Sequence, residues 1–153
     1  MDLIAPSDKH IRQLMTWFED EAQLAIWSGP DFRYPFDLSS FKYDLKLTSL
    51  QSFSGLSAQR ELLAFGQYYL REGKCHLGRL VVNPEFRGQG LITELIEKLS
   101  AVGRRELAVS TSSLFVFSHN IRAITAYEKL GFMVENYPTK IPLDNCLYMV
   151  HRS

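Results

Sequence analysis

Cysteine is scarce: the 153 residues hold two, Cys75 and Cys146, with no Cys-x-x-Cys pair. That argues against a disulfide framework and a zinc knuckle and suits a reducing compartment, so a cytoplasmic location is expected. An excess of either charge is also missing, since 17 basic residues balance 17 acidic ones. No overall field draws the chain to nucleic acid or to an anionic membrane surface, and neither is expected as a partner. No apolar run approaches the roughly 20 residues that cross a bilayer. The opening Met1-Asp2-Leu3-Ile4-Ala5-Pro6 lacks a basic region ahead of an apolar one, so the chain reads as soluble and unprocessed. Metal-ligand spacing, a Ser/His/Asp pattern and a G-x-S-x-G elbow are absent too, and no metal is expected. What is present is 46% hydrophobic and 12% aromatic, enough for a continuous core in one domain spanning 1–153.

The pattern along the chain is mixed α+β. Met1 to Ala5 reads as an edge strand, and Ser7 as the cap of a helix with Ile11, Leu14, Met15 and Phe18 on one face. The pattern breaks at Ser28-Gly29-Pro30, and a second helix starts near Ser39. Phe53–Leu56, Leu62–Leu70 and Cys75–Val82 read as a meander of strands. Two strand-to-helix units follow: Cys75–Val82 into Leu91–Gly103, and Leu114–Phe117 into Asn120–Lys129, with a last strand over Cys146–Val150.

Between Val82 and Leu91 lies the turn Arg87-Gly88-Gln89-Gly90. A helix start presents backbone N–H groups without intrahelical partners and carries about half a positive charge. Glycines let the backbone approach an anion, and Arg87 adds a cation. The pattern therefore suits a phosphorylated ligand. It is not a Walker loop, because Leu91 and Ile92 stand where Lys and Ser/Thr are needed, nor a dinucleotide fingerprint, because Thr93 stands at the third glycine. A turn that only joins strand to helix is the alternative for this segment by itself.

With Asn120-Ile121-Arg122-Ala123-Ile124-Thr125-Ala126-Tyr127-Glu128-Lys129-Leu130-Gly131-Phe132, the turn resembles the GCN5-related N-acetyltransferase superfamily. The resemblance covers Leu80 to about Leu99 and Ser118 to Phe132. It implies one domain with a central, mostly antiparallel twisted sheet of six to seven strands, splayed at the cofactor site and flanked by about four helices. It also implies acetyl-CoA as cosubstrate. By the same resemblance Leu80, Val81 and Val82 pair with the pantetheine arm, and Arg87, Gly88, Gln89, Gly90, Leu91, Ile92 and Thr93 receive the pyrophosphate. Asn120 bonds the pantetheine arm, and Tyr127 lies near the thioester sulfur. The catalytic pair implied is the Val82 N–H toward the developing oxyanion and the Tyr127 hydroxyl as proton donor to the departing thiolate. Without the resemblance, Asn120 reads as a helix cap and Tyr127 as a core aromatic.

Two places depart from the family pattern. Ile92 stands where the glycine motif often ends in Gly or Ala, and Arg79 and Phe115 occupy the strand positions where many relatives carry a glutamate that takes the amine's proton. His76, His119 and Glu61 are the remaining candidates for a base. The implied acceptor pocket falls on the segment before the sheet, where Trp27, Phe32, Tyr34 and Phe36 line it or pack the loop onto the core. Glu19-Asp20-Glu21 either attracts a cationic amine or peptide or, as charged runs on helices usually do, forms a solvated face. The expected function is acetyl transfer to a primary amine, on a peptide or protein or on a small molecule, by direct attack in a ternary complex in a monomer or homodimer. A coenzyme A-binding sensor or structural module without turnover is the alternative.

Overall fold

The structure of the protein, a computed structural model, describes residues 1–152. Its elements in order are β1 (Asp2–Ile4), α1 (Asp8–Met15), α2 (Glu21–Ser28), α3 (Leu38–Asp44), β2 (Gln51–Leu56), β3 (Leu62–Arg71) and β4 (Lys74–Val82). A 3₁₀ turn (Pro84–Phe86), α4 (Leu91–Leu107), β5 (Thr111–Phe117), α5 (Ile121–Lys129), β6 (Met133–Glu135) and β7 (Cys146–Arg152) follow. Among the described residues the strands form one mixed, seven-stranded sheet in the order β1-β2-β3-β4-β5-β7-β6. The pairs β1/β2, β5/β7 and β6/β7 are antiparallel. β4 and β5 are parallel, in register over Cys75–Leu77 and Ser112–Leu114.

Five α-helices are present among the described residues where about four are expected, because the first predicted helix is two. The Thr16 hydroxyl donates to Gln13 O at 2.6 Å and closes α1. Asp20 Oδ1 then accepts from Gln23 N at 2.8 Å while Glu19 N donates to Gln23 Oε1 at 3.0 Å, which starts α2 afresh. Asp20 is therefore a cap within a run that otherwise reads as a solvated face. Ser7 and Asp37 cap α1 and α3 in the same way, each in a reciprocal capping box.

The chain forms two compact units. The first takes Met1–Gln67 and Arg79–Leu95, and its core gathers Ile11, Leu14, Leu24, Phe41, Leu45, Leu56 and Phe65. The second takes Tyr68–Gly78 and the chain from Ile96 on. Its buried residues include Tyr68, Cys75, Leu77, Ile96, Leu99, Leu114, Phe132 and Met149. Here α4 approaches Cys75 and Tyr68 so closely at Gly103 that no side chain fits between them.

Candidate coenzyme A and acceptor site

The glycine turn is held at both ends within the first unit. Asn83, 3% exposed, donates from its backbone N to Leu63 O (2.8 Å) and from Nδ2 to Leu62 O (2.9 Å). Its Oδ1 accepts from Glu85 N at 3.0 Å, starting the 3₁₀ turn. Gly88 and Gly90 follow at φ 80° and 74°, in the left-handed region that disfavours a Cβ. A Cβ at either would meet nothing within 4 Å, so the space beside the turn is open. The bond from Glu94 N to Gly90 O (3.3 Å) opens the ladder of α4. The N–H groups of Leu91, Ile92 and Thr93 precede it and have no intrahelical partner. Arg87, Gly88, Gln89 and Gly90 are exposed, while Leu91, Ile92 and Thr93 are half-buried. Unfilled backbone donors, open space and an exposed guanidinium fit a pyrophosphate.

Upstream, Leu80, Val81 and Val82 are half-buried at the end of β4, with Val81 packed on the core. Arg79 precedes them at φ 47°, an unusual conformation for a non-glycine residue inside a strand and a local break in its pleat. The residue is tied down: its Nη1 donates to Gln67 Oε1 at 2.9 Å, and its guanidinium lies 5.2 Å over the Phe32 ring. Gln67, itself fully buried, donates to Leu45 O (2.7 Å) and Ser52 Oγ (2.9 Å). The strand position that suits a base in relatives is thus occupied by an anchored cation.

The second unit carries the other motif. Asn120 is exposed, and its Oδ1 accepts from Ala123 N at 3.3 Å as the cap of α5, which leaves its Nδ2 to donate elsewhere. Tyr127 is half-buried on α5, 6.3 Å from the Phe132 ring, and its hydroxyl has no hydrogen-bond partner among the described residues. Burial pushes its phenol up, so it stays protonated at neutral pH. Among the base candidates, His76 is 2% exposed, its Nδ1 lies 2.8 Å from Ser113 Oγ, and burial brings its pKa down to about 3. A histidine so held is a neutral core residue. His119 and Glu61 are exposed.

In the first unit the acceptor-loop aromatics split. Trp27 stacks on Phe18 (4.6 Å) and Phe41 (6.1 Å), while Phe32 and Phe36 pack on Phe41 at 5.4 and 4.9 Å. These three seat the loop on the core, although the Trp27 Nε1 is buried without a partner. Tyr34 is 43% exposed and, among the rings of the described residues, touches only that of Phe36, at 5.9 Å. In the second unit an aromatic cluster surrounds Arg71 that the sequence barely signals. Only the alternation of Tyr69 and Arg71 on β3 hints at it, because its other members come from β5, β7 and the loop after β6. Among the described residues no group of His, Cys, Asp or Glu is placed to hold a metal ion, and no helix is long and apolar enough to cross a membrane.

Similar structures include a chimera of the spermidine N-acetyltransferase SpeG from Vibrio cholerae and hSSAT (TM-score 0.74, 15% identity, 99% of this chain and 96% of that one). PaiA N-acetyltransferase from Thermoplasma acidophilum, in complex with coenzyme A, matches at TM-score 0.69 and 15% identity over 99% and 98% of the two chains. A ribosomal-protein alanine N-acetyltransferase from Escherichia coli matches at 0.67 and 20% over 99% and 92%. These likenesses are of fold. The family model described as Acetyltransferase (GNAT) family matches residues 11–132, across both glycine-turn and α5 motifs. The chain belongs to the GNAT acetyltransferase family, and is an acetyl-CoA-dependent N-acetyltransferase.

Proposed function

We propose that the whole chain works as one acetyltransferase domain that moves an acetyl group from acetyl-CoA to a primary amine by direct attack, the acceptor being a peptide or protein amine or a small molecule. The observation that carries this reading is the turn from Arg87 to Gly90, with two glycines at positive φ ahead of unpartnered N–H groups at the start of α4. The amides from Gly88 to Thr93 take the pyrophosphate, Arg87 adds charge, and the backbone of Leu80, Val81 and Val82 pairs with the pantetheine arm. Asn120 donates its free Nδ2 to that arm. Acetyl-CoA supplies an activated thioester, from which transfer places negative charge on the carbonyl oxygen and releases a thiolate.

The Val82 N–H stabilises the charge that develops on oxygen, and the Tyr127 hydroxyl gives its proton toward sulfur. A phenol kept protonated by burial suits that task. Proximity of amine and thioester supplies roughly 7–11 kcal/mol of the rate enhancement, which lessens the demand on a dedicated base. Arg79 and His76 are unsuited to that role, one as an anchored cation and the other as a buried neutral ring. Tyr34 is the loop aromatic exposed enough to meet an acceptor, with Trp27, Phe32 and Phe36 behind it.

The test measures thiol release over a panel of amino acids, peptides and polyamines, together with Tyr127→Phe. The variant is expected to turn over about 100-fold or more slowly with coenzyme A affinity nearly unchanged. An unchanged rate removes the acid role, and no release with any amine, despite tight coenzyme A binding, overturns the transferase reading.

A further inference from the structure

The cluster around Arg71 contains more donors than the chain gives it acceptors. Arg71 Nε donates to the Tyr137 hydroxyl at 2.8 Å, and Nη1 to the Tyr69 hydroxyl at 3.1 Å. Its guanidinium lies 5.1 Å from the Phe115 ring centroid, 5.7 Å from that of Tyr137 and 6.0 Å from that of Tyr69. Tyr148, 3% exposed, packs edge-on to Tyr137 at 4.9 Å and tilted to Phe115 at 5.8 Å, and its hydroxyl is buried without a partner.

Charge balance singles this place out. A guanidinium ordinarily takes a carboxylate or phosphate, bidentate where geometry allows. Among the described residues Arg71 has no carboxylate partner, and its neighbours are tyrosine hydroxyls and aromatic rings. Glu135, in register with Tyr148, is already held by Arg152 through both of its oxygens. His76, against Phe115 at 4.5 Å, is neutral, and Lys74 Nζ, 6.0 Å from the Tyr148 ring, adds a second positive charge.

The hydrogen atoms are available as well. A phenol that accepts from Arg71 through a lone pair keeps its own O–H to donate. Tyr69 and Tyr137 therefore offer two O–H donors beside the remaining N–H groups of the guanidinium. The guanidinium is planar, so its unspent N–H groups lie in one plane, which suits a planar carboxylate.

From this we propose that Arg71, Tyr69 and Tyr137 form a carboxylate-binding subsite. On the acetyltransferase reading given above, on which this step rests, the acceptor is an amine that also bears a carboxylate, as a free amino acid does. The Phe115 ring beside the guanidinium gives the subsite an apolar wall, which suits an acceptor with an apolar side chain.

The experiment compares the full chain with Arg71→Gln and Arg71→Lys, all checked for cooperative unfolding. Acceptors are glycine, L-methionine and L-phenylalanine, each beside its C-terminal amide, with spermidine as a carboxylate-free amine. The wild type is expected to prefer acid over amide at least tenfold in kcat/KM, mostly through KM. Arg71→Gln should lose at least tenfold of that preference, and Arg71→Lys, which keeps charge without the planar fork, should lose part of it. Thiol release from amides or spermidine with no acid preference, or a preference that survives Arg71→Gln, overturns the subsite and leaves the transferase reading standing.

A second readout does not need turnover. The same amino acids, without coenzyme A, should raise the melting temperature of the wild type and not that of Arg71→Gln. No such difference overturns the subsite, as does protection by inorganic phosphate alone. Protection by the amino acids with no thiol release from any amine supports the subsite and counts against the transferase reading.

Discussion

His76 ties acid sensitivity to a single buried ring. It is 2% exposed, its Nδ1 lies 2.8 Å from Ser113 Oγ, and burial, with the Arg71 guanidinium adding to it, lowers its pKa from 6.5 to about 3. In the unfolded chain the imidazole takes up its proton near pH 6.5, whereas in the fold it stays neutral until near pH 3. Across that window the unfolded state binds more protons, so stability is complete above pH 6.5 and falls as the pH drops. The slope approaches about 1.4 kcal/mol per pH unit, and the loss between about pH 7 and pH 5 is about 2 kcal/mol. The assay is urea unfolding at both pH values on the wild type and His76→Asn, whose amide retains a partner for Ser113. Asp8, Asp37 and Asp44, whose carboxyls are also held low by their hydrogen-bond partners, contribute equally to both proteins and cancel. The amide introduced by His76→Asn does not titrate, so the wild type should lose about 2 kcal/mol more than the variant. Equal losses would refute a neutral buried His76.

Two further substitutions test the frame and the cradle. At Gly103 an added Cβ would fall 2.4 Å from Cys75 Sγ and 3.0 Å from the Tyr68 ring, so Gly103→Ala should destabilise by about 1–3 kcal/mol. A lower urea midpoint at unchanged m checks it, and an unshifted midpoint contradicts the close approach. At Gly90, where φ is 74° and nothing crowds a Cβ, Gly90→Ala costs backbone conformation alone, about 1–2 kcal/mol. Coenzyme A binding by calorimetry should weaken about tenfold as the turn relaxes, and unchanged affinity would mean that the turn's conformation does not set the site.

The features legible in the sequence are those that local chemistry determines. The glycine turn needs only a strand, two residues free to take positive φ and a helix start in succession, and Asn120 declares itself a cap three residues before Ala123. The break between α1 and α2 was legible too, since Asp20 stands three residues before Gln23, but the surrounding acidic residues masked it. Arg79 gives no local warning of its positive φ, because Gln67 and Phe32, distant in sequence, are what hold it there. The Arg71 cluster is assembled from β3, β5, β7 and the loop after β6, so it exists only once the sheet has formed. The aromatic residues of the acceptor loop admitted two readings, and the packing of Trp27, Phe32 and Phe36 on Phe41 serves the core before any ligand.

Asn83 has a consequence for how the cradle can vary. With its side chain and backbone fastened to Leu62, Leu63 and Glu85, it sets where the chain leaves β4, and α4 sets where it resumes. With both ends held, part of the freedom of the intervening loop is surrendered during folding, which on the proposed reading leaves less to lose when an anion arrives. On that reading Arg87 and Gln89, exposed between those two fixed ends, are the places where charge and affinity can be retuned without relocating the cradle, and Asn83 is the place where they cannot.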